Sequence, residues 1–148
     1  MSGGRVVRVE ISPEPFNEAE VVAATTDDKA GAVITFNGVV RNHDQGRDVE
    51  SIEYSSHEIA QEILREIAEE IAGREGVHAV SAVHRVGHVR VGETAMVVVV
   101  AASHRSMAFS ATSDFVDEIK ARVPVWKKQN FPDGNHEWTG IADIQSSS

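Results

Sequence analysis

The chain has 148 residues, of which 41% are hydrophobic and 5% aromatic, and this composition predicts one globular domain over residues 1–148 with an aliphatic core. Its 14 Lys+Arg against 23 Asp+Glu give a formal net charge of -9, which argues against broad binding to nucleic acid or to anionic membranes. The absence of cysteine excludes disulfides, thiolate metal sites and sulfur carried on the chain's own thiol. No apolar signal segment or membrane-length apolar run is present, so we expect a soluble, cytoplasmic protein.

The first half of the sequence predicts short strands and one short helix. The predicted strands cover residues 6–11, 31–40 and 49–55, the last returning alongside the second. Asn17 is followed three positions later by Glu20, a spacing typical of a helix N-terminus. Gly38 lies inside the second strand and indicates a bulge or the close approach of another backbone. The polar residues 42–48 are predicted to form a loop.

A strongly periodic segment in the middle of the chain predicts a helix over residues 56–72. Isoleucine, leucine and alanine recur there at spacings of three and four, which places them on one face. Ser55 with Glu58 matches a capping box at the start of this helix, and Gly73 matches a stop signal.

Two valine-rich segments, 77–86 and 94–102, predict strands that pair as a hairpin. The second contains four consecutive valines, Val97–Val100. Such an uninterrupted apolar run indicates a strand that is covered on both faces, and hence the centre of a sheet.

A third helix is predicted over residues 106–122, and Pro124 prevents its continuation. Its predicted buried stripe consists of Phe109, Thr112, Val116, Ile119 and Val123. Lys120 lies at the margin of this stripe, where a lysine stem packs while its ammonium lines a cleft.

The end of the chain predicts a short hairpin. A strand begins at residues 126–128, a turn signal follows at 131–134, and residues 137–144 are expected to pair back. Because helices and strands alternate irregularly along the whole chain, the predicted fold class is α+β.

One local excess of positive charge lies near the C-terminal end, where residues 119–129 contain no acid. The four cations are Lys120, Arg122, Lys127 and Lys128. In an acidic chain such a cluster predicts a bound anion, and a desolvated lysine beside like charges has a lowered pKa that suits proton transfer or nucleophilic attack. The alternative is a solvated basic helix end that is followed by a surface loop.

Two further segments place cations at the ends of predicted elements. Ser103-His104-Arg105 precedes a helix, where backbone N–H groups and the helix dipole favour an anion; the alternative is a capping serine beside solvated cations. Val40-Arg41-Asn42-His43 ends a strand, and its alternative is a plain surface turn. His84 and His88 lie across a strand end without a helical or cysteine partner, so we expect neither a metal site nor a cofactor.

Four segments carry a collinear pattern that covers most of the chain. They are FNGVVRNH at 36–43, HRVG at 84–87 with VGE at 91–93, SHRSMAF at 103–109, and Lys120 with PVWKK at 124–128. In this order and at this spacing they resemble the family of the large, catalytic subunit of molybdopterin synthase. The resemblance implies an α+β hammerhead-like fold, with a mixed or antiparallel sheet packed by helices and an additional small β subdomain.

The resemblance also implies an activity and an assembly. Members of that family transfer two sulfur atoms to cyclic pyranopterin monophosphate, which makes the dithiolene that holds molybdenum. The sulfur comes from a thiocarboxylate at the C-terminal Gly-Gly of a small ubiquitin-like subunit, and two large subunits form a homodimer within a heterotetramer. A chain that receives sulfur from a partner needs no cysteine of its own, and the substrate's phosphate needs cations.

By the same resemblance, nine residues have expected roles. Lys120 is expected to act in acid/base catalysis and to stabilise an oxyanion, and Lys127 to transfer a proton or orient the thiocarboxylate. The implied substrate-binding residues are Val39, Val40, Arg41, His104, Arg105, Lys128 and Gln129. Of these, His104 and Arg105 are expected to reach the site from the other subunit of the dimer. Gln129 stands where relatives commonly carry glutamate, and it keeps a hydrogen-bonding arm without the carboxylate.

Two other functions remain open from the residues alone. One is a non-catalytic anion-binding or phosphopterin-binding scaffold module, in which the same cations hold a ligand without chemistry. The other is an enzyme that forms a Schiff base on Lys120. Loss of turnover on replacing Lys120 distinguishes catalysis from the scaffold, and borohydride trapping tests for the Schiff base.

Overall fold

The computed structural model describes residues 3–44 and 46–139, which contain ten strands and three helices. In chain order these are β1 (Arg5–Ser12), α1 (Glu18–Ala24), β2 (Ala32–Val39), β3 (His43–Asp44), β4 (Arg47–Asp48), β5 (Ser51–Ser56), α2 (Ala60–Ala72), β6 (Val77–Arg85), β7 (Gly87–Arg90), β8 (Thr94–Ala102), α3 (Arg105–Arg122), β9 (Val125–Asn130) and β10 (His136–Thr139). Within this part of the chain, no helix combines the length and the apolar character that crossing a bilayer requires.

The first sheet has the strand order β1-β6-β8-β2. β1 pairs parallel with β6 and the other pairings are antiparallel, so the sheet is mixed. On one face, Val98 and Val100 of β8 pack in the main core with α2 and α3. On the other face, Val97 and Val99 pack against Val21 of α1. Since all four valines are fully buried, the prediction that they mark a sheet centre covered on both faces is confirmed.

The second sheet is antiparallel and has the order β10-β9-β5-β7. It has a smaller core of its own, formed by Val40, Val49, Ile52, Val89, Ala95 and Phe131. Within the described residues, the chain passes into this sheet three times, through β5, through β7 and through β9. β7 lies in sequence between β6 and β8, the two central strands of the first sheet. The predicted α+β class, with a mixed sheet packed by helices and an additional β unit, is confirmed. β5, which we expected beside β2, lies in this second sheet instead.

The start of α2 differs from the prediction. Ser55 and Ser56 continue β5 and pair with β9, so the helix begins only at Ala60. Its N-cap residue, Ile59, makes no side-chain capping hydrogen bond, and the predicted capping box is therefore wrong. Ser55 and Ser56 form backbone pairs with β9 and therefore remain in the strand. Because β9 is distant in sequence, the residues around Ser55 do not indicate this pairing. The predicted stop at Gly73 is confirmed.

α3 begins and ends close to the predicted positions, and four of the five residues predicted for its buried stripe are buried, namely Thr112, Val116, Ile119 and Val123. The buried residues are Ala108, Ala111, Thr112, Phe115, Val116 and Ile119. Phe109 is 59% exposed, so its predicted place on the stripe is wrong. Apolar residues extend around much of this helix, and their spacing alone therefore fits more than one buried face.

Other local predictions are confirmed. The Asn17 side chain accepts a hydrogen bond from the backbone N–H of Glu20 and caps α1. The pairing register shifts between Gly38 and Val39, which is the predicted irregularity in β2. β6 and β8 pair antiparallel, and β10 pairs with β9.

The predicted hairpin partner of β9 extends to residues 140–144, which lie outside the described residues. The loop expected at 42–48 contains the paired two-residue strands β3 and β4.

Candidate active site

A cavity of about 440 Å³ lies where the two sheets meet, beside the last turn of α3. Its polar lining residues are Arg41, Asp44, Tyr54, His84, Lys120 and Lys127. Its apolar wall includes Phe36, Val39, Met96, Ile119 and Val123. Because the lining comes from both sheets and from α3, the cavity exists only when these three parts are packed together.

Two lysines enter this cavity from different elements. Lys120 lies in the last turn of α3, between the buried residues Ile119 and Val123. Lys127 is the third residue of β9, where side chains alternate between the two faces, and Val125 from the same face also lines the cavity. The change from helix to strand after residue 122 thus brings two lysines seven positions apart to one site.

Burial lowers the pKa of Lys127 below its ordinary value. The carboxylate of Asp44 opposes this effect, whereas the positive charges of Lys120 and Arg41 lower the pKa further. A lysine with a lowered pKa has a larger fraction of neutral amine near neutral pH. Lys127 is therefore suited to proton transfer as well as to holding an anion.

Arg41, Asp44 and Gln129 form a polar chain at the edge of the cavity. Arg41 Nη2 lies 3.4 Å from Asp44 Oδ1, and Gln129 Nε2 donates a hydrogen bond to Asp44 Oδ2 at 3.0 Å. Gln129 is only 4% exposed, and its Oε1 has no hydrogen-bond partner among the described residues. The Gln129 amide thus ties β9 to the segment that carries Arg41 and Asp44, without adding a second carboxylate.

Tyr54 and His84 form the part of the lining between the two sheets. Their rings lie edge to face, with centroids 5.2 Å apart and an interplanar angle of 81°. Burial raises the pKa of Tyr54 to about 12, so its phenol stays protonated at neutral pH. Burial lowers the pKa of His84, and the hydrogen bond to the Arg85 carbonyl opposes that effect.

Val39 lines the cavity, whereas Val40 and Lys128 do not. Val40 is buried in the second core, where its backbone N–H donates to the Glu93 carbonyl. Lys128 lies on the face of β9 opposite Lys127, with its Nζ 5.8 Å from the centroid of the Trp138 ring. Gln129 lies at the cavity edge, through its contact with Asp44.

His104 and Arg105 lie at the other end of α3 from Lys120. Arg105 begins the helix and His104 is its N-cap residue, without a side-chain capping hydrogen bond. Fifteen helical residues correspond to about 22 Å, so neither residue reaches the cavity of its own chain. Their expected contribution across a dimer interface stays a prediction.

Three of the polar lining residues had no role in the sequence prediction, namely Asp44, Tyr54 and His84. His84 belongs to the HRVG segment, which was a usable signal, whereas Asp44 and Tyr54 reach the site only through tertiary packing. Within residues 3–44 and 46–139, no group of three or more His, Asp or Glu side chains is placed to hold a metal ion. The polar side chains that line the cavity are three cations, one carboxylate, one phenol and one imidazole.

Comparison with known proteins gives consistent matches. The family model described as MoaE protein matches residues 11–122. The molybdopterin synthase catalytic subunit of Pyrococcus abyssi is 38% identical over 123 residues, which cover 82% of this chain and 83% of that protein. The crystal structure of molybdopterin synthase from Staphylococcus aureus superposes with a TM-score of 0.81 at 30% identity, covering 90% of this chain and 96% of that chain.

A more distant match shows the same fold. It is the complex of subunits 1 and 2 of the molybdopterin-converting factor from Helicobacter pylori, with a TM-score of 0.69 at 18% identity and 90% coverage of both chains. The family match runs from the end of β1 to the end of α3 and includes Lys120, and the relatives extend the similarity over most of the remaining chain. The chain therefore belongs to the MoaE family.

Proposed function

We propose that the cavity between Lys120 and Lys127 is the sulfur-transfer site of a molybdopterin synthase catalytic subunit. The chain acts in molybdenum cofactor biosynthesis, as its family membership and its relatives indicate. Its substrate is cyclic pyranopterin monophosphate, which receives two sulfur atoms to form the dithiolene. The observation that carries this assignment is the convergence of two lysines from different elements on one cavity.

The charges of the cavity suit both reactants. A thiocarboxylate and a cyclic phosphate diester are both anions, and the cavity offers Lys120, Lys127 and Arg41 as cations. Lys120 provides acid/base catalysis and stabilises the oxyanion that develops at the thiocarboxylate carbon. Lys127, whose pKa burial lowers, transfers a proton or orients the thiocarboxylate.

Arg41 supplies the first contact to the substrate phosphate, and the backbone beside Val39 lines the pterin side of the pocket. Val40 and Gln129 support this wall, Val40 through the second core and Gln129 through Asp44. Lys128 contributes positive charge from the outer face of β9. His104 and Arg105 of a second copy complete the phosphate and pterin pocket.

The sulfur donor is a small ubiquitin-like subunit with a thiocarboxylate on its C-terminal Gly-Gly. Two copies of the present chain form a homodimer, and one small subunit docks on each to give a heterotetramer in the cytoplasm. The lack of any cysteine in this chain supports an external sulfur donor. A Gly-Gly terminus is flexible and has no side chains, which suits entry of this tail into the cavity that the two lysines line.

The direct test is a reconstituted conversion of cyclic pyranopterin monophosphate to molybdopterin with thiocarboxylated small subunit. Lys120→Ala is expected to abolish turnover, while size-exclusion chromatography shows an unchanged dimer. Lys29→Ala is the matched control, because Lys29 is an exposed lysine outside the cavity. Wild-type turnover by Lys120→Ala would refute the catalytic role and favour a scaffold that binds phosphopterin without chemistry.

A further inference from the structure

His84 lines the cavity, yet the roles proposed above do not use it. It is the eighth residue of β6 and is 9% exposed, close to the place where the chain leaves the first sheet. A histidine at such a position is either a packing residue or a polar contact for a ligand. The hydrogen bonds of its two ring nitrogens distinguish these possibilities.

One ring nitrogen has a fixed role. Nδ1 of His84 lies 2.6 Å from the backbone carbonyl oxygen of Arg85. A carbonyl oxygen only accepts hydrogen bonds, so Nδ1 carries the proton. Burial lowers the pKa of the ring, which keeps it neutral at neutral pH, and Nε2 therefore carries a lone pair.

The other nitrogen remains open to a ligand. Among the described residues, the fully enclosed side-chain nitrogen and oxygen atoms without a partner are Arg85 Nε and Gln129 Oε1. Nε2 of His84 has no partner among them either, but it is not one of the enclosed atoms, and the open space beside this residue is the cavity. The edge-to-face contact with Tyr54 and the bond to Arg85 hold the ring in one orientation.

The cavity otherwise offers mostly hydrogen-bond donors. Lys120 and Arg41 as cations, and Lys127 in its charged form, only donate. The Asp44 carboxylate accepts, but Arg41 and Gln129 already engage its two oxygens. His84 Nε2 is thus an acceptor without an internal partner in a site rich in donors.

We propose that Nε2 of His84 accepts a hydrogen bond from an N–H group of the pterin ring system and thereby positions the heterocycle between the two sheets. A pterin carries an exocyclic amino group and ring N–H groups, which require acceptors that the lysines and Arg41 do not supply. His84 is a substrate-binding residue in this assignment and takes no part in sulfur transfer. The identity of the ligand rests on the proposed function.

Two substitutions separate the roles of the two nitrogens. His84→Asn keeps a donor near Nδ1 for the Arg85 carbonyl but removes the acceptor at Nε2, whereas His84→Gln keeps a polar atom near Nε2. His84→Asn is expected to weaken binding of cyclic pyranopterin monophosphate about tenfold by titration calorimetry, as for the loss of one hydrogen bond. His84→Gln is expected to lose about threefold or less on the same scale. The control is His136→Asn, an exposed histidine outside the cavity.

The same variants are then assayed with thiocarboxylated small subunit. His84→Asn is expected to raise KM for the pterin about tenfold while kcat changes less than about threefold, since a ground-state contact is lost. Wild-type affinity in His84→Asn would overturn the proposal, and so would equal losses in His84→Asn and His84→Gln. A chain that binds the pterin as proposed but transfers no sulfur would refute the proposed catalysis and leave the His84 contact standing.

A measurement on the unsubstituted chain covers the case in which His84→Asn does not fold. In ¹⁵N NMR of histidine-labelled protein, Nε2 of His84 is expected to resonate as an unprotonated nitrogen, assigned by its absence from the spectrum of His84→Gln. Saturation with the pterin, without sulfur donor, is expected to shift this resonance. A protonated Nε2 in the free chain, or a resonance that the bound pterin leaves unchanged, would overturn the contact. A folded chain that does not bind the pterin at all would refute the proposed function and this contact together.

Discussion

Gln129→Glu is expected to destabilise the folded chain in a pH-dependent way. The substitution replaces an amide that donates to Asp44 at 3.0 Å by a second carboxylate in a buried position. At this separation two unit charges repel each other by about 5 kcal/mol for an effective dielectric constant of about 20. Because Arg41 lies 3.4 Å from Asp44, it offsets part of this repulsion.

The penalty has an upper limit, because the new carboxyl can instead keep its proton and donate to Asp44. Holding a proton on glutamic acid costs about 1.36 kcal/mol for each pH unit above a pKa of about 4.3, hence about 3.7 kcal/mol at pH 7 and about 1 kcal/mol at pH 5. The folded variant thus binds more protons than the unfolded chain, so its stability relative to wild type falls as the pH rises above about 4.3. We expect a loss of about 2–4 kcal/mol at pH 7.

The assay is urea unfolding of wild type, Gln129→Glu, Asp44→Asn and the double variant at pH 5 and pH 7. The double variant exchanges the amide and the carboxylate between the two positions, so it restores a hydrogen bond with one charge. We expect its stability to return to within about 1 kcal/mol of wild type at pH 7, with a coupling energy of about 2–3 kcal/mol. A single variant with wild-type stability at pH 7, or a double variant as unstable as the single one, would refute the reasoning.

Three other predictions follow from the described contacts. By ¹³C NMR of methylated lysines, Lys127 should titrate below 10.5, and its midpoint should rise in Lys120→Ala because a like charge is removed, although burial, the larger cause, remains. The pKa of Lys127 is lower in the folded chain than in the unfolded chain, so the unfolded chain binds more protons as the pH rises toward about 10.5. The free energy of unfolding of the wild type should therefore increase over this pH range. Urea unfolding of Lys127→Met should not show this increase. Phe115→Ala should cost about 3–5 kcal/mol in urea unfolding and Phe109→Ala about 0.5 kcal/mol or less, because only the first side chain is fully buried; equal losses would contradict the burial described for α3. Asn17→Ala should cost about 1 kcal/mol by removing the cap of α1, and an unchanged unfolding midpoint would show that the cap contributes nothing.

Local patterns predicted most of the elements, because each depends on neighbours within a few positions. The four valines of β8, the cap at Asn17 and the stop at Pro124 are examples. The start of α2 was mispredicted because Ser55 and Ser56 pair with β9, a segment about seventy positions away. The residues within a few positions of Ser55 do not include its partner in β9. The prediction therefore followed the local capping-box pattern and missed the strand pairing.

From composition and local sequence, the candidate site was predictable mainly where positively charged residues occur, and Val39 was predicted from the family resemblance. Lys120, Lys127 and Arg41 stood out in an acidic chain, and the structure brings them to one cavity. Asp44 and Tyr54 do not stand out, because a carboxylate in a polar loop and a tyrosine in a strand are ordinary residues. Their proximity to the lysines depends on how two sheets pack, which periodicity does not encode.

The short path from α3 into β9 has a consequence for how this segment can vary. β9 places alternate side chains on opposite faces, so adding or deleting one residue after the end of the helix would turn Lys127 outward and Trp126 or Lys128 inward. Point substitutions in the linker leave this parity intact, whereas a single-residue indel reverses it. We therefore expect the length of this stretch to be far less tolerant of change than its composition.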